Sequence, residues 1–341
     1  MRFEFYSSAL DQLPKLSVDG TVPNSIHFSH WEGNLTPAEV KADTSTEIAL
    51  NVVSSPKMDK LTSGIELVTN NHFDTDGVLS VWTMLNGKRA LQFRDLLIAA
   101  AESGDFSEYS SKEGICVSLA IQGCEQASPN DETGSPLARL IAGESVDDDA
   151  CAYELVLPKV EQLLTNLDKY ESLWSQGWKK IEDAVRSFEL GHSKVREVTE
   201  AQLSVVTLSP EIFGDEAFNP KRHAAPFTAI SKYAGGKIFL IATPHDEGHW
   251  FYRVDYPYYS WAETVVRPRI LPLDFSTTLS DLNSREGSAA ARWQIDNREM
   301  TSIFKCVDDQ GMLAPSTLTP DNVVASMMPS LTSERSASVT R

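Results

Sequence analysis

Across residues 65–87 the apolar pattern changes period at a single junction, and that junction limits what the chain can fold into. Ile65 to Thr69 reads as a short strand. From Val78 onward, Val78, Leu79, Val81, Trp82 and Leu85 fall on one helical face, and Asn86-Gly87 supplies a stop. Between the two lies His72-Phe73-Asp74-Thr75-Asp76-Gly77. A strand feeding a helix is the unit of α/β folds, and open α/β sheets take their ligands beyond the carboxyl ends of their strands. The expected architecture is α/β: an open, mainly parallel sheet with helices on both faces, plus a smaller C-terminal α/β domain.

Alternate residues of an extended segment point the same way, so His72, Asp74 and Asp76 can converge. One imidazole and two carboxylates suit Mn²⁺, Mg²⁺ or Fe²⁺. Gly77 is read as the residue that lets the backbone turn into the helix. A calcium loop of the EF-hand type fails twice, because its first ligand would be His72 and its twelfth Thr83. The plainer reading is a polar turn whose acids cap the helix. Three potential ligands in five residues exceed what a cap needs.

The segment Val68 to Ser80, with His-x-Asp-x-Asp-Gly inside it, resembles the first motif of the DHH phosphoesterase superfamily. That resemblance implies a metal domain and a smaller substrate domain, two divalent metals (manganese first, magnesium second), and hydrolysis of phosphoesters by metal-activated water. It implies that His72 and Asp74 hold one metal and Asp76 the other, with Asp76 catalytic. The match covers about a dozen residues, and the family's Asp-His-His triplet is absent from this sequence. Asp105 sits where a later acid of the family falls and is taken as catalytic. The chain as a whole looks like an uncharacterised bacterial family sharing this first motif. Further ligands must replace the triplet, and His27, His30 and Asp43 are the candidates, since the strand Ile26 to Phe28 can lie beside Ile65 to Thr69. Asp147 to Asp149 is read as a solvated acidic loop, because consecutive acids diverge and repel.

The net charge of −18 makes the chain a poor binder of duplex nucleic acid or anionic membrane. Cys116, Cys124, Cys151 and Cys306 have no Cys-x-x-Cys spacing and read as reduced thiols. No signal peptide and no run of 18 apolar residues is seen, so a cytoplasmic location is expected. Elsewhere, Thr36-Pro37 reads as a helix start, Leu91 to Ala100 as a helix ended by Gly104, residues 125–150 as a loop, and Glu154 to Glu189 as a long helix started or kinked by Pro158.

In the second half, Val205 to Leu208 reads as a strand, Ala224 to Tyr233 as a helix, and Lys237 to Thr243 with Trp250 to Val254 as a hairpin. Residues 217–245 hold no acid but carry Lys221, Arg222, Lys232 and Lys237. Arg253, Arg267 and Arg269 follow, interleaved with Tyr252, Tyr256, Tyr258, Tyr259 and Trp261. Arginine forks hold phosphate and aromatic faces stack bases. Lys221, Arg222, His223, Arg253 and Arg267 are therefore the candidate contacts for a small phosphate-bearing or nucleotide-like substrate. The alternative is that the aromatics are core and the arginines pair with the protein's own acids. His245 and His249 flank Asp246-Glu247-Gly248 in the wrong order for a His-Glu-x-x-His zinc helix.

The expected domains are a metal-binding part over 1–200, a substrate-binding part over 201–325 and a Ser/Thr-rich disordered tail over 326–341; a homo-oligomer is compatible with this. The expected function is a divalent-metal-dependent phosphoesterase-like hydrolase. Its rivals are a non-catalytic ligand- or protein-binding module on the same fold and a single-metal structural site.

Overall fold

The computed structural model describes residues 1–123, 148–214, 217–246, 248–296 and 300–338. Most of the expected loop over 125–150, together with Cys124, Asp147 and Glu247, lies outside the described residues. The chain is α/β and divides into two units. The first takes residues up to 179 and adds a nine-residue return, Trp261–Arg269; the second takes the rest.

In the first unit, Arg2–Phe3 (β1), Lys15–Val18 (β2), Ile26–Phe28 (β3) and Leu67–Thr69 (β4) form a sheet in the order β1-β4-β2-β3. Every pairing is parallel, with Val18 opposite Phe28 and Ser17 opposite Thr69. Parallel strands are covered on both faces, and every residue of β2 and β4 is buried. The register brings the chain segments that follow β2, β3 and β4 to one edge of the sheet.

The helices of this unit are Ser45–Ser54 (α1), Met58–Leu61 (α2), Thr75–Asn86 (α3), Arg94–Phe106 (α4) and Lys112–Gln122 (α5). Thr44, Asp74 and Ser111 cap α1, α3 and α5 by accepting from the amides of Glu47, Gly77 and Gly114. Helix α3 is buried nearly all round, from Thr75 to Met84, which suits a central helix.

Several expectations are corrected. Thr36 starts no helix; its hydroxyl bonds both the amide and the carbonyl of Ser29, and α1 begins at Ser45 instead. Gly104 does not end α4, which runs on to Phe106 and stops where Ser107 turns left-handed (φ 47°). Instead Gly104 admits Thr75, since a β-carbon there would stand 2.7 Å from Thr75 Cβ. The long helix is three pieces, Asp149–Val156, Val160–Thr165 and Glu171–Glu189, separated by a tight turn holding Pro158 and by a second turn over Leu167–Tyr170. Asp148 caps the first piece through the Ala150 amide, and both it and Asp149 are exposed, as the acidic stretch led one to expect.

The second unit is a mixed sheet in the order β5-β6-β7-β8-β10-β9, from Lys194–Val198 (β5), Leu203–Thr207 (β6), Ile238–Pro244 (β7), Trp250–Asp255 (β8), Arg292–Ile295 (β9) and Ser302–Val307 (β10). Only β6 and β7 run parallel. The tail expected to be disordered from residue 326 is instead entered by the helix Pro320–Ser338. Val323, Met327 and Leu331, four apart, are buried in this unit's core, and Ser330 bonds Thr278. A helical stripe therefore outweighs the Ser/Thr content there.

Glu286 ties this unit's loops together. Its carboxylate accepts from the Ser316 hydroxyl, the Thr317 amide and hydroxyl, the Ser288 amide and the Trp293 indole. Burial pushes this carboxyl up, but Ser316 and the other donors outweigh it and hold it below its usual range. A depressed carboxyl contributes stability above the unfolded pKa of about 4.3, lost as pH falls through the folded value. Glu286→Gln should cost on the order of 1 kcal/mol at pH 7 and flatten the acid limb of a stability–pH curve. Urea titrations from pH 3 to 7 would read it, and an unchanged acid limb would refute it.

Candidate metal centre

Strand β2 ends at Val18, and Asp19 after it turns left-handed (φ 63°), a conformation that Asp tolerates. Its amide donates to the Phe28 carbonyl at 3.1 Å, and its own carbonyl accepts from Ser29. Gly20 follows because nothing larger fits: a β-carbon would stand 2.0 Å from Asn71 Oδ1 and 2.6 Å from Asn70 Oδ1. Asn70, fully buried just past β4, locks the two loops together. Its Oδ1 accepts from the amides of Gly20 (3.1 Å) and Asn71 (2.7 Å), and its Nδ2 donates to the Tyr153 hydroxyl at 2.9 Å.

Two groups of side chains meet at Asp19. One is Asp19, His30, Asp76 and Asp105, all buried; the other is Asp19, His72 and Asp74. His30 Nε2 lies 3.1 Å from Asp105 Oδ2, 3.4 Å from Asp19 Oδ1 and 3.7 Å from Asp76 Oδ2. His72 Nε2 lies 2.8 Å from Asp19 Oδ2 and 3.1 Å from Asp74 Oδ2. The two oxygens of Asp19 thus serve different groups.

The imidazoles are oriented from behind. His30 Nδ1 meets the Asp43 carbonyl at 2.7 Å, and His72 Nδ1 meets Asn71 Oδ1 at 3.0 Å. Both partners are acceptors, so Nδ1 carries a proton and Nε2 is the atom each ring turns toward the carboxylates. Asp76 is held by the first amides of α1: Ser45 N on Oδ2 at 2.7 Å and Thr46 N on Oδ1 at 2.6 Å. Asp74 divides its work, with Oδ1 capping α3 through Gly77 N at 2.7 Å and Oδ2 facing His72. The cap reading of this acid is half of the answer.

These donors fit a divalent cation. Both oxygens of Asp19 and the Nε2 atoms of His30 and His72 are buried without a hydrogen-bond partner. They lie close together, His72 Nε2 2.8 Å from Asp19 Oδ2 and His30 Nε2 3.4 Å from Asp19 Oδ1. A buried polar atom left unpaired costs about 1–3 kcal/mol, and a buried charge more. Four carboxylates and two imidazoles are the oxygen–nitrogen set that hard and borderline divalent ions take, and two such ions would balance the four negative charges.

The local field is strongly negative. For His72, burial pulls the pKa down, but Asp74 and Asp19 push it up to about 12. His30 is likewise depressed by burial yet driven well above its usual value by Asp105, Asp19 and Asp76. Burial and the Asp19 charge push the Asp76 carboxyl up to about 7. Burial, with the charges of Asp74 and Asp76, raises Asp105 well above the carboxylate range.

Asp43, read as a ligand, is not in either group. Its carboxylate accepts from the amides of Val265, Val266 and Arg267 and from the Arg267 guanidinium. Arg267, read as a substrate contact, is correspondingly spent on Asp43, Glu102 and Glu108, and lies 4.9 Å over the Phe106 ring. His27 also stays outside both groups, with its Nδ1 taking the Leu35 amide.

The return Trp261–Arg269 is pinned further by Glu263, which bonds Gly33 N, Asn34 and Lys41 and donates its own amide to the His30 carbonyl. It brings Trp261 edge-on to His30 at 4.9 Å and to Trp31 at 5.0 Å. Lys221, Arg222, His223 and Arg253 belong to the second unit. There His223 stacks on Phe213 and accepts the Asn219 amide, while both nitrogens of the Arg253 fork hold buried Asp255 at 2.7 and 2.6 Å.

Gly77 is corrected as well. It lies within α3, where a β-carbon would stand 2.4 Å from Asn70 Nδ2 and 2.7 Å from Tyr153 OH. Glycine is needed for close approach, not for a turn. Gly→Ala in a helix normally gains up to about 1 kcal/mol. Here Gly77→Ala should instead destabilise by roughly 1–3 kcal/mol through overpacking, read as a lower urea midpoint. A raised midpoint would overturn this.

Asp19 is the centre's member that the sequence reading missed. Its signal was the apolar strand Leu16-Ser17-Val18 running into Asp-Gly, the same strand-then-acid pattern as at residues 67–77.

Among solved structures, the chain is similar to the pGpG-specific phosphodiesterase PggH of Vibrio cholerae, at 8% identity over 93% of this chain and 97% of that one, with a TM-score of 0.33. That likeness is too slight to bear on the site. No curated protein sequence matches the chain. A family profile does match, over residues 1–337: the chain belongs to DUF6687, a family of unknown function.

Proposed function

We propose that the chain is a divalent-metal-dependent, phosphoesterase-like hydrolase acting on a small phosphate-bearing substrate. One observation carries the reading: the buried Asp19 carboxylate turns Oδ1 to His30 and Oδ2 to His72, giving one oxygen to each of two ligand groups. A carboxylate shared in this way is how proteins hold metals in pairs, typically about 3.5–4 Å apart. Held by these residues, such ions would acidify water and neutralise phosphoryl charge. The resemblance of His72 to Gly77 to the first DHH motif supports Mn²⁺, then Mg²⁺, as the ions. His30, Asp19 and Asp105, from other segments, stand in for the absent Asp-His-His triplet.

The residues divide the work by burial. His72 and Asp74 keep 27% and 25% of their side chains exposed, whereas Asp19, His30 and Asp76 keep none, so water and substrate enter beside His72 and Asp74. Asp76, fixed by two amides, orients and does not move. Asp74 Oδ2, 3.1 Å from His72 Nε2, would hold the ion beside this opening together with His72. Arg253 and Arg267 are committed to the protein's own carboxylates and are not proposed as substrate contacts.

The test is metal content and phosphodiester turnover of purified protein in Mn²⁺, beside the Asp74→Ala/Asp76→Ala double variant. Two equivalents of metal and Mn²⁺-dependent turnover, both lost in the variant, would support the reading. Metal without turnover on a broad phosphoester panel would point to a binding or structural role, and no metal in either protein would sink it.

A further inference from the structure

We infer that Trp31 is a stacking platform at the mouth of the metal centre, and that the substrate therefore carries a planar base; this rests on the preceding reading of the centre as a phosphate-processing site. Of the cluster, His72 and Asp74 are the residues substantially exposed, at 27% and 25% of their side chains. The ring beside that opening is Trp31, 5.3 Å from the His72 imidazole and tilted 57° to it. A substrate bringing phosphorus to these two residues comes within reach of this ring.

Trp31 is held rigidly. Its amide donates to Ser29 Oγ at 3.0 Å, its carbonyl accepts from Asn34 Nδ2 at 2.8 Å, and Trp261 braces it edge-on. It remains partly exposed, yet its indole Nε1 is buried with no acceptor. A wall whose purpose was only to exclude water would be filled at less cost by phenylalanine, which has no N–H to strand. What tryptophan adds is a wide π face, the surface on which nucleobases stack with little sequence preference. A nucleotide offers both halves of the match, a phosphate for the centre and, one sugar away, a flat ring.

The experiment uses the full chain in Mn²⁺ and two probes that differ by the base alone: adenosine monophosphate and ribose 5-phosphate, with affinities read by titration calorimetry. The wild type should bind the nucleotide about 10- to 100-fold more tightly. Trp31→Ala should erase that preference while leaving ribose 5-phosphate affinity and metal content unchanged, and Trp31→Phe should keep most of it. Equal weakening of both probes, or an unchanged preference in Trp31→Ala, would overturn the inference. So would a wild type that does not prefer the nucleotide. Binding is independent of turnover, so the two readings fail separately. Base preference without hydrolysis removes the enzyme and keeps the platform; hydrolysis without base preference does the reverse.

Discussion

Asp19→Asn should strip divalent metal from both positions of the centre, weakening each by on the order of 100-fold or more, whereas Asp74→Asn should release one equivalent and leave the other. The argument is geometric. Asp19 Oδ1 faces His30, and Oδ2 faces His72, so one residue serves both groups. Asparagine keeps the shape and tolerates the left-handed backbone at this position (φ 63°), so the substitution removes charge and not fold. Elemental analysis after dialysis gives the stoichiometry, and turnover should fall in step. Should Asp19→Asn retain two equivalents, the shared-carboxylate geometry would have no bearing on metal binding.

Adding Mn²⁺ to chelator-treated protein should raise the melting temperature of the first unit by roughly 8–16 °C. Free metal at a thousand times Kd contributes about 4 kcal/mol, and a unit of this size shifts by about 2–4 °C per kcal/mol. The large effect follows from what the ion relieves: a cluster of four carboxylates around two imidazoles, buried except at His72 and Asp74, with Asp76 and Asp105 forced upward in pKa by burial and by their neighbours' charge. Because ligands must shed protons to bind metal, the shift should shrink as pH falls, and calorimetry in buffers of different ionisation enthalpy should detect proton release. Asp19→Asn should abolish the shift. Identical melting in chelator and in Mn²⁺ would show that the cluster is neutralised by protons alone.

How far the centre could be read in advance depended on sequence distance. His72, Asp74 and Asp76 stand within five residues, at a junction where strand period gives way to helix period, so local rules suffice to aim them together. The same rules recover α3, β3 and the β7–β8 hairpin, each specified by its own apolar spacing and stops. Asp43 and Arg267 misled for the complementary reason. An acid and a base 224 positions apart look free in a list of residues, and only the return of Trp261–Arg269 to the first unit pairs them.

By itself, then, the sequence determined the α/β class and the local geometry of one ligand-bearing turn, because both arise from contacts between near neighbours. The tertiary structure decided everything that makes the turn a centre. The parallel order β1-β4-β2-β3 sets Asp19, His30 and His72 at one sheet edge, and Gly104 lets α4 close on Thr75 so that Asp105 reaches His30. The return carrying Arg267 takes Asp43 out of the ligand set. These placements come from strand register and packing between segments far apart in the chain, which no local periodicity encodes.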